Sequence, residues 1–290
     1  MSVITPSEAA DHLSPVFKGK WGELLFRIAE RMTGIDKVNR LHDKLEKENI
    51  PFGPDFAKGI LDEIGVDFRI GHAERLESLP DGPFIVIANH IYGHLDGICL
   101  LDIFGHLRQE TKVMVNELLM WIKGLAPSFI SVNPAVGSYN GASAASINGV
   151  KKALIQIRGG GPLCLFPAGA VADLKPSEHW TIRERDWQDA AIKLIRKARV
   201  PIVPVRFFDR NSSFYYGLGL LDYRIRFIRL FHELFNKAGT FPRLGIGEII
   251  SVEQQDAVSD PVQFKSFLRH AVYDMPLPGS FIKRSELWTP

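Results

Sequence analysis

The chain has 290 residues, 46% of them apolar and 23% charged, a balance that excludes intrinsic disorder and allows a large buried core. Its formal net charge of +2 decides little, because partners respond to local patches rather than to totals. Cys99 and Cys164, the only cysteines, both lie inside apolar runs, which excludes a disulfide framework and reads as buried, reduced thiols of a cytosolic protein.

The N-terminus lacks the basic start and apolar core of a signal peptide. No run reaches the ~18 apolar residues of a membrane-spanning helix, so any work on a membrane is expected from its surface. Over residues 18 to 32, Trp21, Leu24, Leu25, Ile28 and Met32 recur at helical spacing, flanked by Lys18, Lys20, Arg27 and Arg31. Two readings stand: a helix packed on the core, or a helix lying on anionic lipid. Helices are predicted at 36 to 47 and 54 to 64, so the first 65 residues read as a helical extension and 66–290 as the main domain.

From Val66 the pattern changes. Val66 to Ile70 alternates as an edge strand, and Pro80-Asp81-Gly82-Pro83 marks a turn before the apolar strand Phe84 to Ala88. A helix is predicted around 96 to 106, a strand at 112 to 116, a helix at 117 to 124, a strand at 128 to 132 and a helix at 142 to 157. Strands at 163 to 166 and 202 to 206 enclose a helix at 187 to 199. A late strand begins at Arg243, and a last helix covers 261 to 273. This alternation predicts an α/β fold, a mixed and mostly parallel sheet with helices on both sides.

The run Ile85-Val86-Ile87-Ala88 ends in Asn89-His90, and Asp96-Gly97 follows. A strand that delivers a histidine to its C-terminal end, with a carboxylate on the next turn, is how such a sheet presents a general base. Neutral imidazole can take a hydroxyl proton near pH 7, and a carboxylate on its other nitrogen fixes the tautomer. This is the relay of a catalytic triad without its serine, so the substrate would bring the hydroxyl. Gly93 and Gly97 are expected to let backbone approach closely. A histidine merely hydrogen-bonded at a strand end is the plainer alternative. A metal-dependent hydrolase using His90, His94 and Asp96 is another, although a catalytic zinc needs three ligands with supporting partners, and no further histidine pairs with these. A second block, Leu163 to Ala170, breaks a buried strand at Phe166-Pro167-Ala168-Gly169, so its end is expected in the same crevice. A third, Val200-Pro201-Ile202-Val203-Pro204-Val205, is expected to wall it.

In this order, Asn89-His90 to Asp96-Gly97, then Phe166-Pro167-Ala168-Gly169, then Val200 to Val205, the chain resembles the glycerolipid (PlsC-like, lysophospholipid) acyltransferase superfamily over roughly residues 75 to 250. It looks closest to a bacterial branch with Asn-His-x5-Asp-Gly and Phe-Pro-Ala-Gly blocks, which acylates phospholipids and amino-acid-containing lipids. The resemblance implies that His90 is the general base and Asp96 orients it. It implies an acyl thioester, on acyl carrier protein or coenzyme A, as co-substrate, with no cofactor and no metal. Asn89, Gly97, Asn133, Phe166, Pro167, Ala168 and Gly169 are the implied substrate-binding positions. The family's usual Phe-Pro-Glu-Gly-Thr-Arg is Phe166-Pro167-Ala168-Gly169-Ala170-Val171 here, and Val132 stands where an arginine is expected. Those arginines hold the acceptor phosphate in the family, and bidentate guanidinium contacts are hard to replace. Their loss points away from lysophosphatidic acid as the acceptor. Arg183 and Arg185 follow the turn and can replace them or belong to a solvated loop.

Between Thr181 and Gly245 there are 13 Lys/Arg against 6 Asp/Glu, with aromatics interleaved from Phe214 to Phe231. Without a recognition motif this predicts no nucleic acid partner. An anionic membrane surface or an acidic carrier protein suits it, as does a core strand and helix with a basic solvated face. The expected function is O-acyl transfer to a membrane lysolipid, by a protein peripheral to the inner face of the cell membrane. A non-catalytic lipid- or carrier-binding protein is the remaining alternative.

Overall fold

A computed structural model describes residues 34–132, 144–221 and 223–287, together with Trp21 and Leu24. The chain enters through α1 (Ile35–Lys47) and α2 (Pro54–Ile64). Helix α2 has sequence stops at both ends: Pro54 occupies its first turn, and Gly65 closes it in the left-handed conformation at φ 68°. Of the expected helix at 18 to 32, only Trp21 and Leu24 are among the described residues. Both are exposed, at 80% and 49%.

The body alternates strands and helices: β1 (Arg69–Gly71), β2 (Ile85–Ala88), α3 (His94–Leu107), β3 (Lys112–Asn116), β4 (Phe129–Val132), α4 (Ala144–Arg158) and β5 (Leu163–Leu165). A short hairpin, β6 (Asp173–Lys175) and β7 (Thr181–Arg183), precedes α5 (Asp189–Ala198) and β8 (Ile202–Phe207). Then come α6 (Ser213–Leu221), α7 (Tyr223–Phe235), β9 (Arg243–Ile246), α8 (Val252–Asp256), α9 (Pro261–Tyr273), β10 (Ile282–Lys283) and α10 (Arg284–Leu287).

Eight strands form one sheet in the order β10-β1-β9-β8-β2-β5-β3-β4. Its antiparallel pairs are β8–β9 and β1–β10, and the remaining neighbours run parallel. This is the expected mixed, mostly parallel sheet. Strand β2 sits at its centre between β5 and β8, in register Ile85↔Leu163 and Ile85↔Ile202. Its four residues are all buried, but they serve two different cores. Val86 and Ala88 pack with α1, α2 and α3. Ile85 and Ile87 pack with α4, α5 and α9 on the other face. That split is the period-2 geometry of a strand covered on both sides. Phe264, Leu268 and Val272 on α9 are fully buried, and each such side chain stabilises the fold by about 1.5–3 kcal/mol.

The structure differs from the sequence expectations at four places. Strand β1 is not the edge, because two residues of β10 pair outside it. The helix expected at 117 to 124 is a single 3-10 stretch, Glu117–Trp121. The aromatic, basic stretch from 214 to 236 is two helices, not a strand and a helix. Arg183 ends the second strand of a hairpin and Arg185 lies two residues beyond it, rather than both lying in an irregular loop. Among the described residues, no helix is long and apolar enough to cross a membrane.

Candidate active site

Strand β2 ends at Ala88, and a five-residue connection, Asn89 to Gly93, leads into α3. Asn89 stitches this end to β8. Its Nδ2 donates to the Phe207 carbonyl at 2.9 Å, and its Oδ1 accepts from the Phe207 N–H at 2.7 Å. The side chain thereby extends the parallel ladder by one rung. The next residue, His90, stands 18% exposed at the C-terminal edge of the sheet.

Asp96 reaches it from the first turn of α3. Its Oδ2 accepts from His90 Nδ1 at 2.9 Å, from the Tyr92 N–H at 2.9 Å and from the Gly93 N–H at 3.0 Å. The carboxylate is fully buried and lies at a helix N-terminus, where the helix dipole favours negative charge. The turn requires Gly93: its φ is 87°, and an added Cβ would fall 2.7 Å from both terminal methyls of Leu230. Gly97 is different. A Cβ there would meet Val113 Cγ1 at 3.9 Å, an ordinary contact, so the close backbone approach expected at Gly97 is found at Gly93 alone.

The Phe166-Pro167-Ala168-Gly169 turn leaves β5 beside β2 and closes the other side. The Phe166 ring stacks on His90 with centroids 4.3 Å apart and planes at 23°. Gly169 takes φ 66°, and its N–H returns to the Phe166 carbonyl at 2.9 Å. Pro167 accepts at its carbonyl from the Gln188 N–H at 2.9 Å, and Ala168 is buried. Thus the turn expected in the crevice does reach His90. Arg183 pairs with Glu178 at 2.9 Å and Arg185 with Asp173 at 3.1 Å, both along the hairpin. Asn133 lies outside the described residues.

The residues of the metal reading do not converge. His90 Nδ1 is held by Asp96, whereas the His94 ring packs against Phe231 with centroids 4.2 Å apart. Among the described residues, the His/carboxylate group whose donor atoms lie within 4.8 Å of one another is His42, Asp43 and Glu46 on α1. His94 instead lines a small apolar cavity with Val38, Phe56, Ile98 and Phe231.

Burial holds His94 down to a pKa of about 3, with a smaller contribution from His90. Its folded pKa lies below its unfolded value, so the unfolded chain takes the proton first. Stability is therefore present above pH 6.5 and is lost as the pH falls toward 3. Denaturant unfolding at pH 7 and pH 4 should show the wild type losing roughly 3 kcal/mol more than His94→Leu on acidification. Equal losses would mean that His94 is not buried in neutral form.

Sequence reasoning passed over Glu184. It lies between Arg183 and Arg185, is only 4% exposed, and accepts the His90 backbone N–H at its Oε1. A single acidic residue between two arginines in a charged stretch carries no local sign of burial. Its significance comes from a contact 94 positions away.

A mixed α/β sheet thus carries an imidazole–carboxylate pair at the C-terminal end of its central strand, an arrangement chemically able to take a proton from a hydroxyl group. The acyltransferase family matches residues 26–277, and this chain belongs to it. Among its relatives is the lyso-glycine lipid O-acyltransferase of Bacteroides thetaiotaomicron, 29% identical over 74% of this chain and 81% of that protein. The enzyme of the same name from Phocaeicola vulgatus is also 29% identical, over 76% of this chain and 81% of its own length.

Proposed function

We propose that this chain moves a fatty acyl group from an acyl thioester, on acyl carrier protein or coenzyme A, to a hydroxyl of a membrane lysolipid of the lyso-amino-acid or lysophospholipid class. The observation that carries this reading is the His90 Nδ1–Asp96 pair at 2.9 Å, which leaves Nε2 as the nitrogen able to accept a proton. His90 Nε2 takes the acceptor's hydroxyl proton as that oxygen forms a bond to the thioester carbonyl carbon. The tetrahedral oxyanion then collapses, the carbon–sulfur bond breaks, and the departing thiolate takes the proton from His90. The Tyr92 and Gly93 N–H groups are engaged by Asp96; in the Phe166–Gly169 turn Pro167 has no N–H and Gly169 donates to the Phe166 carbonyl, so the Phe166 and Ala168 N–H groups are the better candidates for stabilising the oxyanion.

An amino-acid lipid is the acceptor we favour over a phospholipid. Two supports are the lyso-glycine lipid O-acyltransferases among the relatives and the absence of the family's phosphate-binding arginines at Val132 and Val171. Arg183 and Arg185, the other candidates for that role, already have carboxylate partners. We place the protein in the branch with Asn-His-x5-Asp-Gly and Phe-Pro-Ala-Gly blocks, with residues 1–65 as a helical extension to the 66–290 domain. It works at the cytoplasmic face of the membrane. Exposed Trp21, Leu24, Phe214 and Leu220 beside a basic stretch suit an interfacial surface. Lipid mass spectrometry of cells lacking the protein should show one mono-acylated lipid accumulating and its di-acylated product lost. An unchanged lipidome would defeat the reading.

A further inference from the structure

The hairpin β6–β7 leaves the sheet and returns to it at His90. Ala172, just before β6, donates its N–H to the His90 carbonyl at 2.8 Å. Glu184, just after β7, accepts the His90 N–H at its carboxyl oxygen. Both polar groups of the His90 main chain are therefore held by the two feet of one hairpin. The ion pairs Arg185–Asp173 and Arg183–Glu178 tie those feet and the tip together. Val171, Leu174 and Ile182 pack the hairpin against Tyr215 and Tyr216 of α6.

We propose that Glu184 is a positioning residue for the general base: its side chain grips the His90 N–H and fixes where the imidazole meets Asp96. The proposal rests on the reading of His90 as base. The carboxyl group cannot be replaced by solvent at this position, because it is buried and His90 N–H would lose its acceptor. Asp96 on α3 and Arg269 on α9 are the charged groups that act on it. Burial is the largest cause and raises its pKa to about 8, opposed by the His90 N–H and the Trp187 side chain, with smaller contributions from Asp96, which raises it, and Arg269, which lowers it. What the His90 N–H requires at this position is an acceptor oxygen. A neutral amide can then do the same work, whereas a shorter acid cannot reach.

The test compares Glu184→Gln, Glu184→Asp and Glu184→Ala, using palmitoyl-coenzyme A with a lyso-glycine lipid. Nitrogen-15 NMR of the His90 side chain runs in parallel without substrate. Misplacing a catalytic group by about 1 Å costs on the order of 100-fold. We expect kcat to fall about 10- to 100-fold in E184A and E184D with KM for both substrates unchanged, and E184Q to stay within about threefold of wild type. The Nδ1–H signal of the His90–Asp96 bond should persist in E184Q and broaden or vanish in E184D and E184A. If E184A does not fold, E184D carries the same comparison. Wild-type kcat in E184D, equal losses in E184Q and E184D, or a His90 Nδ1–H signal unchanged in every variant would each overturn the proposal. An active His90→Ala variant would instead remove the base assignment, and the NMR arm separates that failure from failure of the clamp.

Discussion

Replacing His90 with alanine should abolish acyl transfer, lowering kcat about 100- to 10,000-fold without unfolding the protein. The imidazole is partly exposed at a strand end and stacked on one face by Phe166, so its removal opens little of the core. The proton of the attacking hydroxyl then has no acceptor. Asp96→Asn separates geometry from charge. All three of its donors fall on one oxygen, Oδ2, and an amide carbonyl can keep all three. What the amide lacks is the negative charge that stabilises the imidazolium formed as the proton arrives. A folded D96N protein with depressed kcat would assign that loss to charge. Cys99→Ala and Cys164→Ala should keep most of the activity. Both thiols are fully buried, and burial pushes each well above the usual thiol range. Neither can form the thiolate that an acyl-enzyme requires. Steady-state rates of the purified variants decide the matter, and full activity in H90A would end the general-base mechanism.

What the sequence makes legible follows the range of the interactions involved. The β2–His90–Asp96 unit is local: an apolar run, a short connection and a carboxylate at the third position of the next helix are all contained in residues 85 to 97. Helices α2 and α9 are equally legible because their ends are chemical signals, such as Asp260, whose side chain accepts the Gln263 N–H at 2.8 Å, followed by Pro261. The Phe166 turn could be placed near His90 because parallel neighbours end on the same edge. The two-residue strand β10 and the three-residue strands β6 and β7 have no pattern of their own and exist through their pairing partners. Glu184 was hidden for the same reason, since its burial depends on where the hairpin folds back. The resemblance implies Asn89 as a substrate-binding position; in the structure both polar atoms of its side chain are engaged by the Phe207 backbone.

Removal of Arg284 should produce the largest loss of stability. This residue opens α10, 182 positions beyond Asp102, yet it is only 4% exposed. Its Nε donates to Asp102 Oδ2 at 2.7 Å and its Nη1 to Asp62 Oδ1 at 2.8 Å. The pairing with Asp62 is half-exposed and contributes little. Asp102 is fully buried in the middle of α3, the helix whose first turn carries Asp96. Burial raises the Asp102 pKa, and Arg284 is the first of the groups that oppose it. Arg284→Met therefore leaves an acid in the core without its cation and should destabilise the protein by about 3–5 kcal/mol. Asp102→Asn on top of it removes the charge that was stranded, so the double variant should be more stable than R284M alone, as expected for coupled neighbours. Urea unfolding of the wild type, both single variants and the double variant measures this directly. If R284M falls within 1 kcal/mol of wild type, roughly the worth of a surface ion pair, the C-terminal segment does not lock α3. If it falls by the larger amount, residues beyond β9 hold the helix that positions Asp96, and the His90–Asp96 pair depends on a segment far along the chain.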